Sequence, residues 1–541
     1  MQNAVGGTHL RGRPIVLAVA LFLLLSLLVI VPANPARAAT FAVDSTSDVA
    51  GSGDLTDGNC GVGPGTCTLR AAIEEANGTA GADEITLAAA TYTLSVSGAA
   101  EDAAATGDLD ITSDVTINGA SGGTTIDADT IDRVFHVLSG GSLTLNDVTI
   151  TGGSAATGAG IQVDAGGTLD LNNATLTANN ATGHGGAIHA TGDVTADLST
   201  ISGNTAAGDG GGLYSAGGAH TLTSVTVAFN DADNGGGLAQ SAGTVTIGHT
   251  ILSNNTASTS GNQCSGTVGT SDYNVIAAIA GCAITPAAND STGTAGGLVA
   301  LADNGGPTQT HALNGTSVAL DVGGTCSAED QRGITRGASC DAGAFEAIQV
   351  EFAAAAASRA EDAGTYDVSV TIDGRNPHAA TTVTVGQTGG TATLGTDYAF
   401  AATPVTFPPG TTAPQSASVT ITDDDFGEGD ETAIFGLSGA TGAVLGSTVT
   451  HTLTIADNEA VGITVTPTAL TVGEGGSNSY QIVLDSEPTA DVTVVFNDGT
   501  EADADLPSVL FAAGPTGNWG TPVDVTVSVP DNLVADGTRA D

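Results

Sequence analysis

Leu143-Thr-Leu-Asn-Asp-Val148-Thr-Ile150 returns as Leu169-Asp-Leu-Asn-Asn-Ala174-Thr-Leu176, as Val194-Thr-Ala-Asp-Leu-Ser199-Thr-Ile201 and as Val245-Thr-Ile-Gly-His-Thr250-Ile-Leu252. A fifth copy, His220-Thr-Leu222 through Val225-Thr-Val227, stands between the last two, so successive copies start 26, 25, 26 and 25 residues apart. Each copy alternates apolar and polar residues, shifts phase once and alternates again, which reads as two short strands joined by a bend and not as a helix. Ile161, Ile188, Leu213 and Leu238 mark a third strand, which follows Gly-rich turns such as Gly210-Gly211-Gly212 and Gly235-Gly236-Gly237. A unit this short cannot bury an apolar face alone, but stacked copies about 4.8 Å apart can. The pattern predicts a parallel β-helix; a leucine-rich horseshoe requires a denser leucine pattern.

One position in the repeat is amide-bearing: Asn179, Asn204, Asn230 and Asn255. Asn tolerates the left-handed conformation of a sharp turn, and stacked amides hydrogen-bond along the axis. Gly153 fills this slot in the first copy, as the same positive φ would require. A coil stack also has two apolar ends to cover. Leu69, Ala72, Ile73 and Ala76, at i, i+3, i+4 and i+7 within 68–77, predict an apolar helical stripe that plugs one of them.

The composition bounds the function. Of 541 residues, 58 are Asp or Glu and 10 are Lys or Arg, giving a net charge of −48; every one of the ten is Arg. Such a polyanion is repelled by nucleic acid and anionic lipid, which excludes both as principal partners. With 41% apolar residues the chain is not disordered in composition, and 77 Gly point to turn-dense all-β structure. Residues 1–38 read as an export signal: Arg11 and Arg13, the apolar run from Ile15 to Val31, then Ala36-Arg37-Ala38. An uncleaved anchor is the rival reading of the same stretch. The expected product is secreted or held at the cell surface, monomeric, and not inserted in the membrane once the signal is removed. Six cysteines in an exported chain predict disulfides, most simply the local pairs Cys60/Cys67, Cys264/Cys282 and Cys326/Cys340. Their spacing does not suit zinc.

The run Cys67-Thr-Leu-Arg-Ala-Ala-Ile73 resembles the Cys-Ser-Leu-Arg-Glu-Ala-Ile motif of CSLREA-domain bacterial surface proteins, with Thr68 for Ser and Ala71 for Glu. Leu301 to His311, Ala319-Leu-Asp321, Asp330-Gln-Arg-Gly333 and Cys340 to Glu346 are similar to the C-terminal closing segment of such proteins. The resemblance covers about 40–347 and implies a right-handed β-helix of the pectin-lyase type, closed by a segment at about 295–347; it brings no shared catalytic activity.

From Val350 onward, alternating strands (Asp367–Ile372, Thr381–Val385, Ser418–Thr422) separated by Gly, Pro and Asp turns predict a β-sandwich. Acids collect at the strand ends: Glu361-Asp362, Asp397, Asp423-Asp-Asp425, Glu428, Asp430-Glu431 and Asp457-Asn-Glu459. Carboxylates gathered at one end of a sandwich repel one another unless a hard cation such as Ca²⁺ neutralises them, while solvated turn acids are the plain alternative. Gly395-Thr-Asp397-Tyr398, Phe407-Pro-Pro-Gly410 and Asp423 through Glu431 resemble the Calx-β domain, a calcium-binding module, over about 349–460. The resemblance implies Glu361, Asp397, Asp423, Asp424, Glu428 and Asp457 as ligands, with Asn458 and Glu459 in a usual run of Asp weakening one ion site. Residues 461–541 restart the same plan with sparser acids, Glu474 and Asp531, and stop where a further strand is expected.

Two function classes follow: a non-catalytic surface protein that binds a glycan or protein ligand, or a polysaccharide lyase or glycoside hydrolase. Arg133 is the only basic residue other than His within 115–262, which leaves a lyase without an obvious base. Asp193, Asp197, Asp209, Asp231 and Asp233 could supply paired carboxylates, but Asp is common in turns for backbone reasons. His136, His184, His189, His220 and His249 show no regular register in the sequence. Acids converging in one groove across adjacent coils would favour the enzyme.

Overall fold

A computed structural model describes residues 38–51, 56–61, 66–98, 101–337, 339–374, 379–497 and 502–531. Apart from Ala38, the expected export signal lies outside the described residues. Among those residues no helix is long and apolar enough to cross a membrane.

The repeats wind into a parallel β-solenoid of about six turns over residues 109–276. Among the described residues its strands belong to parallel sheets of 14, nine and five strands, the first holding two runs that join through the long strand Leu213–Thr223. The register is the one the repeat predicts: Leu143, Leu169, Val194, His220 and Val245 stand in one column. Ile150, Leu176, Ile201, Val227 and Leu252 stand in a second, and Ile161, Ile188, Leu213 and Leu238 in a third. The three columns point inward into one buried cluster. The aliphatic period is therefore the core, because only inward positions must recur every winding.

The amide column is a continuous ladder. The Nδ2 of Asn179, Asn204 and Asn230 donates to the Oδ1 of the next Asn at 2.9, 2.9 and 3.0 Å, and Asn255 passes its bond to Gln263 Oε1 at 2.8 Å. Each Oδ1 also accepts the backbone N–H of the preceding member. The expected left-handed conformation at these Asn is not what the turn uses. Positive φ falls one residue earlier, at Gly152, Ala178, Gly203, Phe229 and Asn254. The turn needs the Asn side chain inside, where its amide replaces lost backbone partners, so the preceding residue takes the strained dihedral. Gly153 is required for space and not for φ: a Cβ there would lie 1.9 Å from the Ala159 carbonyl oxygen. A second left-handed column, Asp147, Asn173, Leu198, Ser224 and His249, makes the bend between the first two strands of each coil.

The helix Leu69–Gly78 covers one end, capped by Thr68, whose Oγ1 accepts Ala71 N–H at 3.1 Å. Leu69, Ala72, Ile73 and Ala76 join the solenoid core. Arg70 is fully buried and uses all five of its donors, on Asp48 Oδ1 and Oδ2 (2.7 and 3.2 Å) and on the carbonyls of Ala104, Asp108 and Gly107 (2.8, 3.1 and 2.8 Å). The disulfides are Cys60–Cys67, Cys264–Cys282 and Cys326–Cys340.

Residues 298–347 lie along the flank of the stack. Gln331 is buried between Thr200, Thr175 and Thr308 (2.6, 2.9 and 2.7 Å), and Thr308 Oγ1 donates to Asn173 O at 2.8 Å. Phe345, Ala342 and Leu313 cover Ile251 and Val275, which continue the outward column Thr175, Thr200 and Thr226. The segment runs into the next unit without a free linker: Ile334 packs in the core of the following sandwich.

That sandwich pairs two five-stranded sheets, built from strands between Gln349 and Ala456, around Phe352, Val370, Val385, Phe407, Val419 and Phe435. Strands Thr365–Ile372, Thr381–Gly390 and Gln415–Ile421 extend the predicted ones. Strands from Ile463 onward form a four-stranded and a two-stranded sheet around Ile482, Leu484, Phe511 and Val525.

Candidate metal centre

Strand direction explains why the acids meet. Thr365, at the start of one strand, pairs with Thr420 near the end of its antiparallel neighbour. Glu431 opens a strand opposite Ile455, while Ala360 pairs with Ala456 in parallel. Tyr398 pairs with Ile421. The residues just beyond these ends are Glu361, Asp397, Asp423 to Glu428 and Asp457, and they therefore share one end of the sandwich.

Two groups of three carboxylates form there, each with its ligand oxygens within 4.8 Å of one another: Glu361, Asp457 and Glu459, and Asp397, Glu428 and Glu431. Glu361 and Asp397 are buried. Burial, then the charges of Asp424, Glu459, Asp457 and Asp423, push the Glu361 carboxyl up to about 7. Burial and the adjoining Asp397 push Glu431 to about 7 as well. Glu428 is raised by burial and then by Asp397, Asp424 and Asp457, so it lies between the two groups and feels both. Asp457 goes the other way, because Gly429 N–H donates to its Oδ2 at 2.6 Å. The loops are held by their own backbone: Asp424 Oδ1 accepts Phe426 N–H at 2.9 Å. The residues singled out in the sequence thus lie in one constellation. Glu431 and Glu459, recognised there as neighbouring acids but not as ligands, complete the two groups. Asn458 turns to Asp423, with Nδ2 3.4 Å from Oδ1, and Glu459 supplies the carboxylate beside Asp457. Such a set of hard oxygens suits Ca²⁺ and does not suit a soft ion.

The loop between Asp423 and Glu428 also touches the second sandwich. Phe426 bridges Glu487 in parallel, and Glu487 N–H donates to Asp425 O at 2.6 Å. Among the described residues the second sandwich brings no three acids together; Asp531 lies beside Gly475, away from any such group.

On the solenoid the turn aspartates are spent on the coils beside them. Asp193 accepts Ala219 N–H at 2.8 Å, Asp209 accepts Asn234 Nδ2 at 2.8 Å and Asp233 accepts Ser258 Oγ at 2.7 Å. Asp231 takes the Thr256 hydroxyl, and burial raises Asp197. These five do not converge. The histidines have more order than the sequence revealed: His136, Gln162, His189 and Tyr214 stand side by side on four successive strands, facing outward. His189 and His184 stack on Tyr214, whereas His220 points into the core. At the head of the outward column, Asp102, Asp110 and Asp164 surround His136, and Arg133 pairs with Asp108 at 3.0 Å. Burial, ahead of the opposing Arg133 charge, brings Asp108 to about 6.

Residues 345–459 match the Calx-beta domain. Among solved structures the chain is similar to the apo-form Calx CBD1 domain, 28% identical over 21% of this chain and 100% of that one, with a TM-score of 0.20. It is also similar to calcium binding domain CBD12 of CALX1.1, 21% identical over 34% and 76% of the two chains, TM-score 0.23, and to CBD12 from CALX1.2, 19% identical over 34% and 75%, TM-score 0.22. No curated protein matches the chain.

Proposed function

We propose that this chain is an exported, non-catalytic surface protein in which a rigid β-solenoid presents a glycan- or protein-binding face and the Calx-β module binds Ca²⁺ at the acidic end of its sandwich. The observation that carries the calcium assignment is the meeting of carboxylates from four separate loops at one edge, with Glu361 and Glu431 driven up to about 7 by burial and mutual repulsion. Glu361, Asp397, Asp423, Asp424, Glu428 and Asp457 are the ligands, with Glu431 and Glu459 beside them. Three disulfides support an oxidising compartment and hence export. The capping helix with its buried Arg70 and the flank-lying closing segment support the CSLREA-type, pectin-lyase-like reading of the first half.

Calorimetric melting of the full chain tests this. Chelation lowers the transition of the sandwich at 349–460 and leaves that of the coil stack in place. Identical traces with and without Ca²⁺ remove the ligand assignment.

A second reading, a glycan-active enzyme, draws on one observation: acids do converge across adjacent coils, around His136. Absorbance of unsaturated product after incubation with a panel of polyuronides tests its lyase form.

A further inference from the structure

We propose that Asp102, Asp110 and His136 form a second metal centre, on the solenoid and independent of the sandwich, for a divalent transition ion of the zinc type. The three ligand atoms lie within 4.8 Å of one another. His136 Nδ1 is 3.3 Å from Asp110 Oδ1 and 3.9 Å from Asp102 Oδ1. Two atoms each about 2.1 Å from a tetrahedral ion are about 3.4 Å apart, so the spacing fits co-ligands better than hydrogen-bond partners.

The surroundings point the same way. The Asp110 side chain is fully buried. Its Oδ2 accepts Ala104 N–H at 2.8 Å, but its Oδ1 has no hydrogen-bond partner and is aimed at the His136 ring. A buried carboxylate oxygen left in that condition costs free energy unless a cation meets it. On the far side of the ring, His136 Nε2 lies 3.1 Å from Asp164 Oδ2. Asp164 Oδ1 accepts Gln162 Nε2 at 3.2 Å, and Gln162 Oε1 accepts Thr157 Oγ1 at 3.1 Å. In the neutral tautomer that donates Nε2–H to Asp164, the Nδ1 lone pair faces two carboxylates, an arrangement that is repulsive when empty. A carboxylate behind the imidazole is the usual support of a metal-ligating histidine. The nitrogen donor separates this site from the all-oxygen set of the sandwich and selects a borderline ion over Ca²⁺. Three protein ligands leave positions for water, on the side where Asp102 is 70% exposed.

The rival occupant of the gap is a proton, which binds Nδ1 and makes an imidazolium between the acids. Titration of the metal-stripped full chain with Zn²⁺, in saturating Ca²⁺ to fill the sandwich sites, separates the two. The expected result is one tight zinc equivalent whose affinity falls at least about 100-fold in His136→Gln and about 10-fold in Asp164→Asn, with the calcium-dependent melting shift unchanged. Asp102→Asn, at an exposed side chain that folding does not need, weakens zinc as well and covers the case in which the buried variant misfolds. A calcium-loaded chain that takes up no zinc, or takes it equally well in His136→Gln and Asp102→Asn, overturns the assignment.

Discussion

Filling the sandwich with Ca²⁺ should expel protons, and their number follows from two side chains. Glu361 and Glu431 both titrate near 7 without the ion, so each is half protonated at pH 7. Both must ionise to face a dication. Occupying the whole constellation therefore releases about one proton per chain at pH 7, about 1.8 at pH 6 and about 0.2 at pH 8, and the affinity at each group drops about tenfold between pH 8 and pH 6. Titration calorimetry at pH 7 in buffers of low and high ionisation enthalpy reads the number directly, and Glu361→Gln should halve it. The sign for stability is opposite to that of an ion-paired acid. A carboxyl raised from 4.5 to about 7 on folding contributes stability below pH 4.5 that is lost as the pH climbs through 7. The calcium-free sandwich should consequently melt lower at pH 8 than at pH 5, and Ca²⁺ should restore most at the higher pH. Binding heat that is the same in both buffers at pH 7, with calcium demonstrably bound, would refute the reasoning.

Other parts of the molecule yield predictions of their own. Asn204→Ala removes the acceptor of the Asn179 amide N–H and the donor to Leu176 O and should cost the solenoid roughly 2–4 kcal/mol in urea unfolding. Arg70→Lys replaces five fixed donors by three and leaves buried carbonyls unmet; a loss of about 2–4 kcal/mol is expected by the same measurement, and a neutral result would mean the clamp is ornamental. Because Glu487 N–H is bonded to the loop that carries Asp423, Asp424 and Glu428, calcium removal should speed hydrogen exchange at that amide more than in the strand Ser477–Leu484.

What could be read from the chain and what could not divide along physical lines. Inward aliphatics such as Leu143, Leu169 and Val194 must recur every winding, so their column was visible as spacing. The amide column was visible for the same reason, but its strain was assigned one residue late. Ala178 and Phe229 carry no chemical mark of a left-handed turn, while the neighbouring Asn does. The calcium acids were legible because strand ends in a sandwich are brought together by antiparallel pairing, which the alternation already implies. Glu431 and Glu459 could have been added to the ligand set, since each sits within three residues of a recognised acid. The cluster at His136 was out of reach: Asp102 comes from an excursion before the strand Leu109–Ile111 and has no counterpart in the later coils. Nor does anything in Asp330-Gln-Arg-Gly333 announce that Gln331 will bury itself against Thr175 and Thr200, because that docking is set by the shape of the stack's flank.

The Asn ladder has a consequence for how such a molecule can change in length. Each inner rung receives what it gives: Asn204 and Asn230 each donate an amide N–H to the next Asn and accept one at Oδ1 from the Asn before. A duplicated segment of a single winding would therefore arrive with ends already matched to its new neighbours, and the helical plug at Leu69–Gly78 would not need to be refitted, whereas the tail beyond Leu298, bonded to the coils at Asn173, Thr175 and Thr200, would have to re-register along the flank. Unequal recombination within the gene could lengthen or shorten the rod in steps of about 4.8 Å, setting how far its two ends stand apart while the chemistry at each is left alone.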